Sequence, residues 1–226
     1  AAGDAGAAGG SAGGAGGGKE RPPADAAAKA AAKAKKDADK EKKAAKKAAA
    51  PAPAGGGDEA RAVDVSWLDM RVGHITAAEA HPESDKLYIE TIDLGEPAGP
   101  RQVLSGLAQY LPIEAVRGAR VVVLCNLGAK KLGGVESQGM VLCAKSEAGL
   151  GFVTPPDAAP VGERVCFEGF PGEPESNPKR IQKKKAWETC MPDLATDAEG
   201  VACYRGVPFA TAAGKCTAAI KSAPIS

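Results

Sequence analysis

The chain has 226 residues, of which 44% are hydrophobic and 25% are charged, and its net charge at pH 7 is +1. It contains no apolar run of about eighteen residues, which argues against a membrane-spanning helix. Its six cysteines are scattered without a C-x-x-C pair and it has only two histidines, which argues against a zinc site. We therefore expect reduced thiols, a cytoplasmic location, no metal and no cofactor.

The first 25 residues predict a disordered Gly/Ala linker. Residues 1–18 are almost entirely Gly and Ala, whose side chains cannot build a core that offsets the entropy of an ordered backbone. The chain also begins without Met. We therefore expect it to be a fragment or a processed product of a longer protein.

Residues 26–50 predict a helical arm that contains only Ala, Lys, Asp and Glu. Residues 19–47 carry eleven Lys and Arg against five Asp and Glu, whereas residues 48–226 carry eighteen against twenty-two. Because the arm has no large apolar residue to bury, it is either a solvated spacer or a mobile polycation that binds phosphates on nucleic acid or an anionic membrane. A second linker, residues 51–62, follows with the helix-breaking "PAPAGGG".

Residues 63–146 predict a mainly β domain of five strands and one short helix. The strand patterns are, in order, "WLDMRVGHITAAEA" with a bend at Gly73, "KLYIETIDLG", "RQVLSGL", "RVVVLCNL" and "QGMVLCAK". In the second strand the apolar residues alternate with one break in the period, at Leu87, Ile89, Ile92 and Leu94. Between the third and fourth strands, "LPIEAVRGA" predicts a helix that Pro112 starts and Gly118 ends. This order is typical of the OB fold, a small, partly open five-stranded barrel.

Residues 147–226 predict a smaller unit that packs on the barrel. This segment is rich in Pro and Gly and contains short strand-like pieces such as "GERVCFEGF" and "GVPFATAAG". Cys125 and Cys143 lie inside apolar strand patterns and are expected to be buried as small hydrophobic residues.

The connection between the fourth and fifth strands is the strongest candidate for a binding site. It carries Lys130 and Lys131 among glycines that let a phosphate backbone approach closely, and no acidic residue lies between Asn126 and Val135. In an OB fold this loop flanks the binding face, where Ser105, Asn126, Ser137 and Gln138 could bond sugars or base edges. The alternative is an ordinary solvated hairpin.

A second basic cluster, at 179–185, consists of Lys179, Arg180, Lys183, Lys184 and Lys185. It either extends the phosphate-binding surface or is a solvated surface run. Three aromatic residues are possible stacking platforms but fit core or rim packing better: Trp67, Tyr88 and Tyr110. His74 and His81 are expected to be structural, and the chain lacks both a G-x-S-x-G and a G-x-x-x-x-G-K-[ST] motif.

Seven stretches of the chain, in order, resemble one family: "VDVSWLDMRVGHI", "HPESDKLYIETIDLGE", "VLSGL", "CNLGAKKLGGVESQGMVLCA", "FPGEPESNPKR", "KKKAWE" and "VACYRGVPF". The family is the tRNA-binding module related to endothelial monocyte-activating polypeptide II. Such modules occur in the auxiliary protein of the multisynthetase complex, in yeast synthetase cofactors, and at the C-terminus of some methionyl- and tyrosyl-tRNA synthetases. "VACYRGVPF" with "TAAGKC" resembles the modules of plant-type methionyl-tRNA synthetases.

The resemblance implies a non-catalytic module that binds tRNA by phosphate charge and shape and recruits it to a methionyl or tyrosyl synthetase, in cis or in trans. It also implies that residues 147–226 mimic a partner subunit, so that the chain is a monomer with a pseudo-dimer interface. Where the family has Lys-Pro or Ala-Pro, and then Met and a basic residue, this chain has Gly128-Ala129 and Leu132-Gly133, so one cationic contact is expected to be missing. "RIQ" also stretches the motif between Lys179 and Lys183.

Three further candidates complete the expected tRNA-binding set: Arg71, Lys86 and Lys145. Two other functions stay open. One is a protein-interaction or cytokine-like signalling module, and the other is the C-terminal appendage of an active methionyl-tRNA synthetase.

Overall fold

The computed structural model describes residues 61–226. The predicted linkers and the predicted Lys/Ala arm lie, up to residue 60, outside the described residues. Within residues 61–226, no helix is both long enough and apolar enough to cross a lipid bilayer.

The first part of the described chain is built from nine strands and two short helical turns. A 3-10 helix at Val65–Trp67 leads into these elements: β1 (Met70–His81), β2 (Ser84–Asp93), β3 (Arg101–Ser105), α1 (Ile113–Val116), β4 (Arg120–Leu124), β5 (Lys130–Leu132), β6 (Val135–Ser137), β7 (Met140–Val141), β8 (Cys143–Ser146) and β9 (Gly149–Thr154). The predicted helix lies where expected: Pro112 is its N-cap, and Gly118, just beyond its end, has a φ of 75°.

The second part contains shorter elements. They are α2 (Pro178–Lys184), α3 (Ala186–Cys190), a 3-10 helix (Met191–Asp193), β10 (Leu194–Thr196), β11 (Ala202–Tyr204), β12 (Val207–Pro208), β13 (Ala210–Thr211), β14 (Gly214–Lys215) and β15 (Thr217–Ala218). β10, β11 and β12 form one sheet, β13 and β14 pair as a hairpin, and β15 joins β9 and β8 in another sheet. Short β-strands therefore dominate residues 147–226, as the sequence predicts, while their separation from residues 63–146 as a unit stays a prediction.

The five-stranded sheet has the order β3-β2-β1-β4-β7, and every pair in it is antiparallel. It closes almost into a barrel because the chain just before β7 returns to β3. There the backbone N–H of Gln138 donates to the Gln102 carbonyl at 2.8 Å, and the Ser137 hydroxyl accepts from the Leu104 N–H at 2.9 Å. The predicted OB barrel is confirmed.

The apolar run of β4 is buried on both of its faces. Val121 and Val123 pack into the barrel interior, while Val122 and Leu124 face a second hydrophobic core. The barrel interior includes Ile75, Ile92, Leu94, Val103, Val116, Val141, Cys125 and Cys143. The second core joins the outer face of the barrel to the C-terminal unit through Met70, Leu142, Val153, Ile181, Leu194, Tyr204, Phe209 and Ile225. The strand therefore reads as a continuous hydrophobic run rather than an alternation.

One local prediction needs correction, and one break in a pattern is explained. The predicted fifth strand is two strands, because the chain leaves the barrel sheet at Leu142, whose N–H donates to the Val122 carbonyl and whose carbonyl accepts from the Val153 N–H. In β2 the buried face carries Tyr88, Glu90 and Ile92, whereas Leu87 and Ile89 are only half-buried. The break in the period is thus a change of face, since Leu87 and Ile89 lie opposite the face that buries Ile92.

Candidate nucleic-acid interface

The connection between β4 and β7 forms an exposed two-stranded hairpin. β5 and β6 pair with Leu132 opposite Val135, so the loop consists of Gly133 and Gly134, both with positive φ (55° and 81°). A two-residue loop of this kind requires positive φ at both positions, which glycine adopts without strain. Lys130 and Lys131 are exposed on the first strand of this hairpin, which we call the lysine hairpin (Lys130–Ser137).

The tip of the lysine hairpin rests on the turn between β1 and β2. A Cβ atom built at Gly133 would lie 2.7 Å from the His81 ring, so the imidazole is in direct contact with the glycine backbone. His81 is 5% exposed, and its Nδ1 accepts a hydrogen bond from the Glu83 N–H at 3.1 Å. The expected structural role of His81 is thus the support of this hairpin.

An open groove of about 440 Å³ lies beside the lysine hairpin. Four predicted site residues line it: Ser105, Lys130, Ser137 and Lys145. The other lining residues are mostly apolar and include Leu104, Leu107, Tyr110, Leu127, Leu132, Met140, Val141 and Leu150. The groove therefore combines an apolar floor with lysines at its rim.

Tyr110 and Lys145 form one edge of this groove. The Lys145 ammonium donates to the Tyr110 hydroxyl at 2.7 Å and lies 4.6 Å from the centre of the ring. Tyr110 is 42% exposed, whereas Trp67 and Tyr88 are buried at 2% and 8%. Of the three aromatic residues considered from the sequence, Tyr110 is the one placed to meet a ligand.

A second cavity, of about 450 Å³, lies on the other side of the loop before the lysine hairpin. Gln138 and Gly128 line it, together with Arg101 and Pro178. The Arg101 guanidinium is paired with the Glu96 carboxylate at 2.6 Å, and this hydrogen bond lowers the pKa of Glu96. The charge of Arg101 is therefore balanced within the protein, while the Gln138 side chain is exposed.

The basic cluster at 179–185 occupies α2 and the residue after it. Asn177 caps the helix by accepting the Lys179 N–H at 3.1 Å, and Pro178 occupies its first turn. The helix is held against the loop leading to the lysine hairpin, because Gln182 donates to the Leu127 carbonyl at 3.0 Å. Four of its basic residues are exposed: Lys179, Lys183, Lys184 and Lys185.

Gly128 explains one departure from the family pattern. It has a φ of 83°, and a Cβ built on it would lie 3.0 Å from the Pro178 ring at the start of α2. The glycine thus lets α2 pack closely on the loop. The lysine hairpin and the basic helix consequently adjoin through this loop.

Other predicted site residues have their polar groups engaged inside the protein. The Arg71 guanidinium pairs with the Asp69 carboxylate at 2.9 Å, and Arg180 pairs with Glu175 at 2.7 Å. The Asn126 amide donates to the carbonyls of residues 67 and 175 and accepts the N–H of residue 69. The Ser137 hydroxyl accepts from the Leu104 N–H and donates to the carbonyl of residue 139.

Two lysines of the predicted site, Lys86 and Lys131, are less well placed to bind phosphate than the sequence suggests. Lys86 is exposed on β2 but does not line the groove. Lys131 stands opposite Glu136 across the lysine hairpin, so an acidic side chain just beyond Val135 reduces the positive field there.

Sequence reasoning missed Glu90, a buried carboxyl that is hydrogen-bonded to the groove residue Ser105. It is 0% exposed, and its Oε1 accepts a hydrogen bond from the Ser105 hydroxyl at 2.5 Å. Burial raises the pKa of Glu90 to about 7, although the Ser105 hydrogen bond lowers it. Extending the inward alternation of Leu94 and Ile92 back along β2 would have predicted this position, since residue 90 is next on that face.

Comparison with known proteins is consistent with this fold. Residues 70–164 match the family described as "Putative tRNA binding domain". The Aminoacyl tRNA synthase complex-interacting multifunctional protein 1 of Mus musculus is 47% identical over 153 residues, which cover 67% of this chain and 48% of the mouse protein. The C-terminal domain of Plasmodium vivax p43 superposes with a TM-score of 0.69 at 31% identity, over 73% of this chain and 100% of that domain.

Two tRNA ligases contain similar segments. The probable methionine–tRNA ligase of Oryza sativa is 47% identical over 156 residues, which cover 68% of this chain and 19% of the ligase. The cytoplasmic tyrosine–tRNA ligase of Xenopus laevis is 43% identical over 159 residues, which cover 69% of this chain and 30% of the ligase. The chain spans less than half the length of each of these curated relatives. The matched barrel and the identity to these relatives show that the chain belongs to this family of tRNA-binding domains.

Proposed function

We propose that this chain is a non-catalytic module that binds tRNA by phosphate charge and shape. The observation that carries the proposal is that the basic helix α2 packs on the loop leading into the lysine hairpin, so exposed lysines lie on two elements joined by this loop, and the lysine hairpin borders an open groove. Lysine side chains bind phosphates as point charges and do not read base sequence.

The lysines that we propose to contact tRNA are those whose side chains are exposed. Lys130 and Lys131 hold the centre of the phosphate-binding surface, and Lys145 lies across the groove from the lysine hairpin. The surface extends along Lys179, Lys183, Lys184 and Lys185, with Gln138 and Ser105 available for hydrogen bonds. The guanidinium groups of Arg71 and Arg180 are each paired with a carboxylate of the protein. Their proposed role is to hold the phosphate-binding surface in position rather than to contact phosphates.

Salt dependence tests the proposal. If about five lysines contact phosphates, a fourfold rise in salt concentration weakens binding by roughly 100- to 500-fold, because each contact releases a counterion. Fluorescence anisotropy with bulk tRNA at two salt concentrations measures this effect. An affinity that stays flat between the two concentrations would reject the electrostatic mechanism.

We further propose that the module recruits tRNA to an aminoacyl-tRNA synthetase, in the same chain or in a complex, in the cytoplasm. Two relatives are methionine– and tyrosine–tRNA ligases, and another is named for a complex with such enzymes. Tethering a tRNA-binding module beside an active site raises the local tRNA concentration without any new contact at that site. The purified chain should therefore bind tRNA on its own; synthetase capture after nuclease treatment, without tRNA binding, would favour a protein-interaction module instead.

A monomer with a pseudo-dimer interface is part of the proposal. The C-terminal unit, residues 147–226, covers the outer face of the barrel with Tyr204, Phe209 and Ile225, all of which are fully buried. An apolar face that the chain covers by itself does not need a second subunit. Sedimentation equilibrium should report the mass of one chain, and a concentration-independent dimer would refute this arrangement.

A further inference from the structure

The groove beside the lysine hairpin has the size and lining of a site for one nucleoside. Its volume of about 440 Å³ falls in the lower part of the range of small-molecule sites, ~300–1,000 Å³. Its walls are largely apolar, and Tyr110 stands at its edge with 42% of its surface exposed. Unstacked bases of folded RNA bind in this way, with the base against apolar or aromatic side chains and the phosphate against cations.

The charges at the rim suit a nucleotide. Lys130 and Lys145 both line the groove, and both are exposed. A base inserted between them leaves its flanking phosphates near the two ammonium groups. An uncharged apolar ligand would gain nothing from either lysine.

The floor of the groove offers a hydrogen-bond acceptor. Two serine hydroxyls line it, and that of Ser137 is occupied by bonds to backbone groups on both sides. The Ser105 hydroxyl donates its hydrogen to Glu90 Oε1, so only its lone pairs face the groove. The hydrogen-bonding direction of Ser105 is thus set by the carboxylate behind it.

Glu90 is placed to hold Ser105 in this state. Its side chain is fully buried on β2, and its second oxygen, Oε2, is buried without a hydrogen-bond partner among the described residues. Above its pKa of about 7 the Glu90 carboxyl is ionised, and an ionised carboxylate accepts hydrogen bonds and donates none. At pH 8 Glu90 therefore orients the Ser105 hydrogen away from the groove.

We propose that the groove takes one unstacked nucleobase of the bound tRNA, and that Ser105, oriented by Glu90, accepts a hydrogen bond from an exocyclic amino group of that base. This inference rests on the proposed tRNA-binding function. Ser105 would be the specificity-determining residue and Glu90 a positioning residue. The amino groups of adenine, guanine and cytosine are donors of the required kind.

Short single-stranded oligoribonucleotides that differ in one amino group test the inference. The probe pair is a tetranucleotide with one adenosine and the same tetranucleotide with purine riboside, which lacks only the exocyclic amine. At pH 8, where Glu90 is ionised, the full chain should bind the adenosine probe about fivefold more tightly, as expected for one net hydrogen bond. Ser105→Ala should bring the ratio of the two dissociation constants to about 1, and Ser105→Thr, which keeps the hydroxyl, should restore it.

Further variants keep the test decisive if Ser105→Ala does not fold. The double variant Glu90→Gln with Ser105→Ala removes the buried charge together with its partner and should also give a ratio of about 1. Glu90→Gln alone should lower the ratio, because a neutral amide can either accept from Ser105 or donate to it. Ser146→Ala, a change outside the groove, should leave the ratio unchanged.

The outcomes separate this inference from the proposed function. Equal binding of the two probes to the unchanged protein, together with a steep salt dependence for tRNA, would overturn the base-selecting groove and leave the proposed function intact. A flat salt dependence for tRNA would overturn both.

Discussion

The stability of this fold should fall as the pH rises from 5 to 8, because of Glu90. The carboxyl is fully buried, and burial raises its pKa from an ordinary value of 4.5 to about 7. Between these two values the folded protein binds more protons than the unfolded chain. The free energy of unfolding is therefore highest below the unfolded pKa and falls as the pH rises through the folded pKa.

The size of this effect follows from the two pKa values. Their difference corresponds to about 3 kcal/mol in the free energy of unfolding, lost progressively between about pH 4.5 and pH 7. The lowered pKa of Glu96 has the opposite effect, but only below this window, since its contribution is lost as the pH falls through its folded value. Between pH 5 and 8, the change in the free energy of unfolding therefore comes from Glu90 and not from Glu96.

Urea denaturation of the unchanged protein and of Glu90→Gln, at unit steps from pH 5 to 8, measures the effect. The amide does not titrate, so the variant should lose most of the pH dependence and be the more stable protein at pH 8. Glu79→Gln, at an exposed position of β1, should keep the pH dependence of the unchanged protein. Parallel profiles for Glu90→Gln and the unchanged protein would refute the reasoning.

Two further substitutions test the support of the site. Gly133→Ala places a Cβ 2.7 Å from the His81 ring at a φ of 55°, and should destabilise the fold by about 1–2 kcal/mol and weaken tRNA binding. Gly134→Ala, also at positive φ but with open space around its Cβ, should cost less stability than Gly133→Ala. Equal losses of stability for the two variants in thermal denaturation would contradict the contact with His81. Phe209→Ala removes a fully buried ring that packs edge-to-face on Phe167, with the ring centres 4.9 Å apart. It should lower the free energy of unfolding by about 3–5 kcal/mol in urea denaturation. A loss under about 1 kcal/mol would show that the second core does not hold the barrel and residues 147–226 together.

Local sequence patterns were enough to predict the barrel. The helix bounded by Pro112 and Gly118 and the glycine turn beside Lys130 depend on backbone preferences that act within a few residues, and both occur as predicted. The predicted split between residues 63–146 and 147–226 stays a prediction. Successive residues of β4 pack alternately into the barrel interior and into the second core, which shows how closely the two segments are packed.

The environment of the site could not be predicted in the same way, because it depends on contacts between distant residues. Asn126 bonds backbone groups near residues 67 and 175, and Ser137 bonds the backbone of residue 104. Residue type alone does not show whether a polar side chain is hydrogen-bonded inside the protein or is available to a ligand. Glu90 is different, since the inward alternation of β2 extended from Ile92 would have predicted its burial.

The electrostatic role of the lysine hairpin is tested most directly by removing its two lysines. Lys130→Ala with Lys131→Ala should leave the thermal midpoint nearly unchanged, because both side chains are exposed. It should reduce the slope of log affinity for tRNA against log salt by about 1.4–1.8, as two phosphate contacts are lost. The control with Lys215→Ala and Lys221→Ala, which removes the same charge from other exposed positions, should keep the original slope. An unchanged slope in the first variant, or an equal reduction in both, would place the tRNA-binding surface elsewhere.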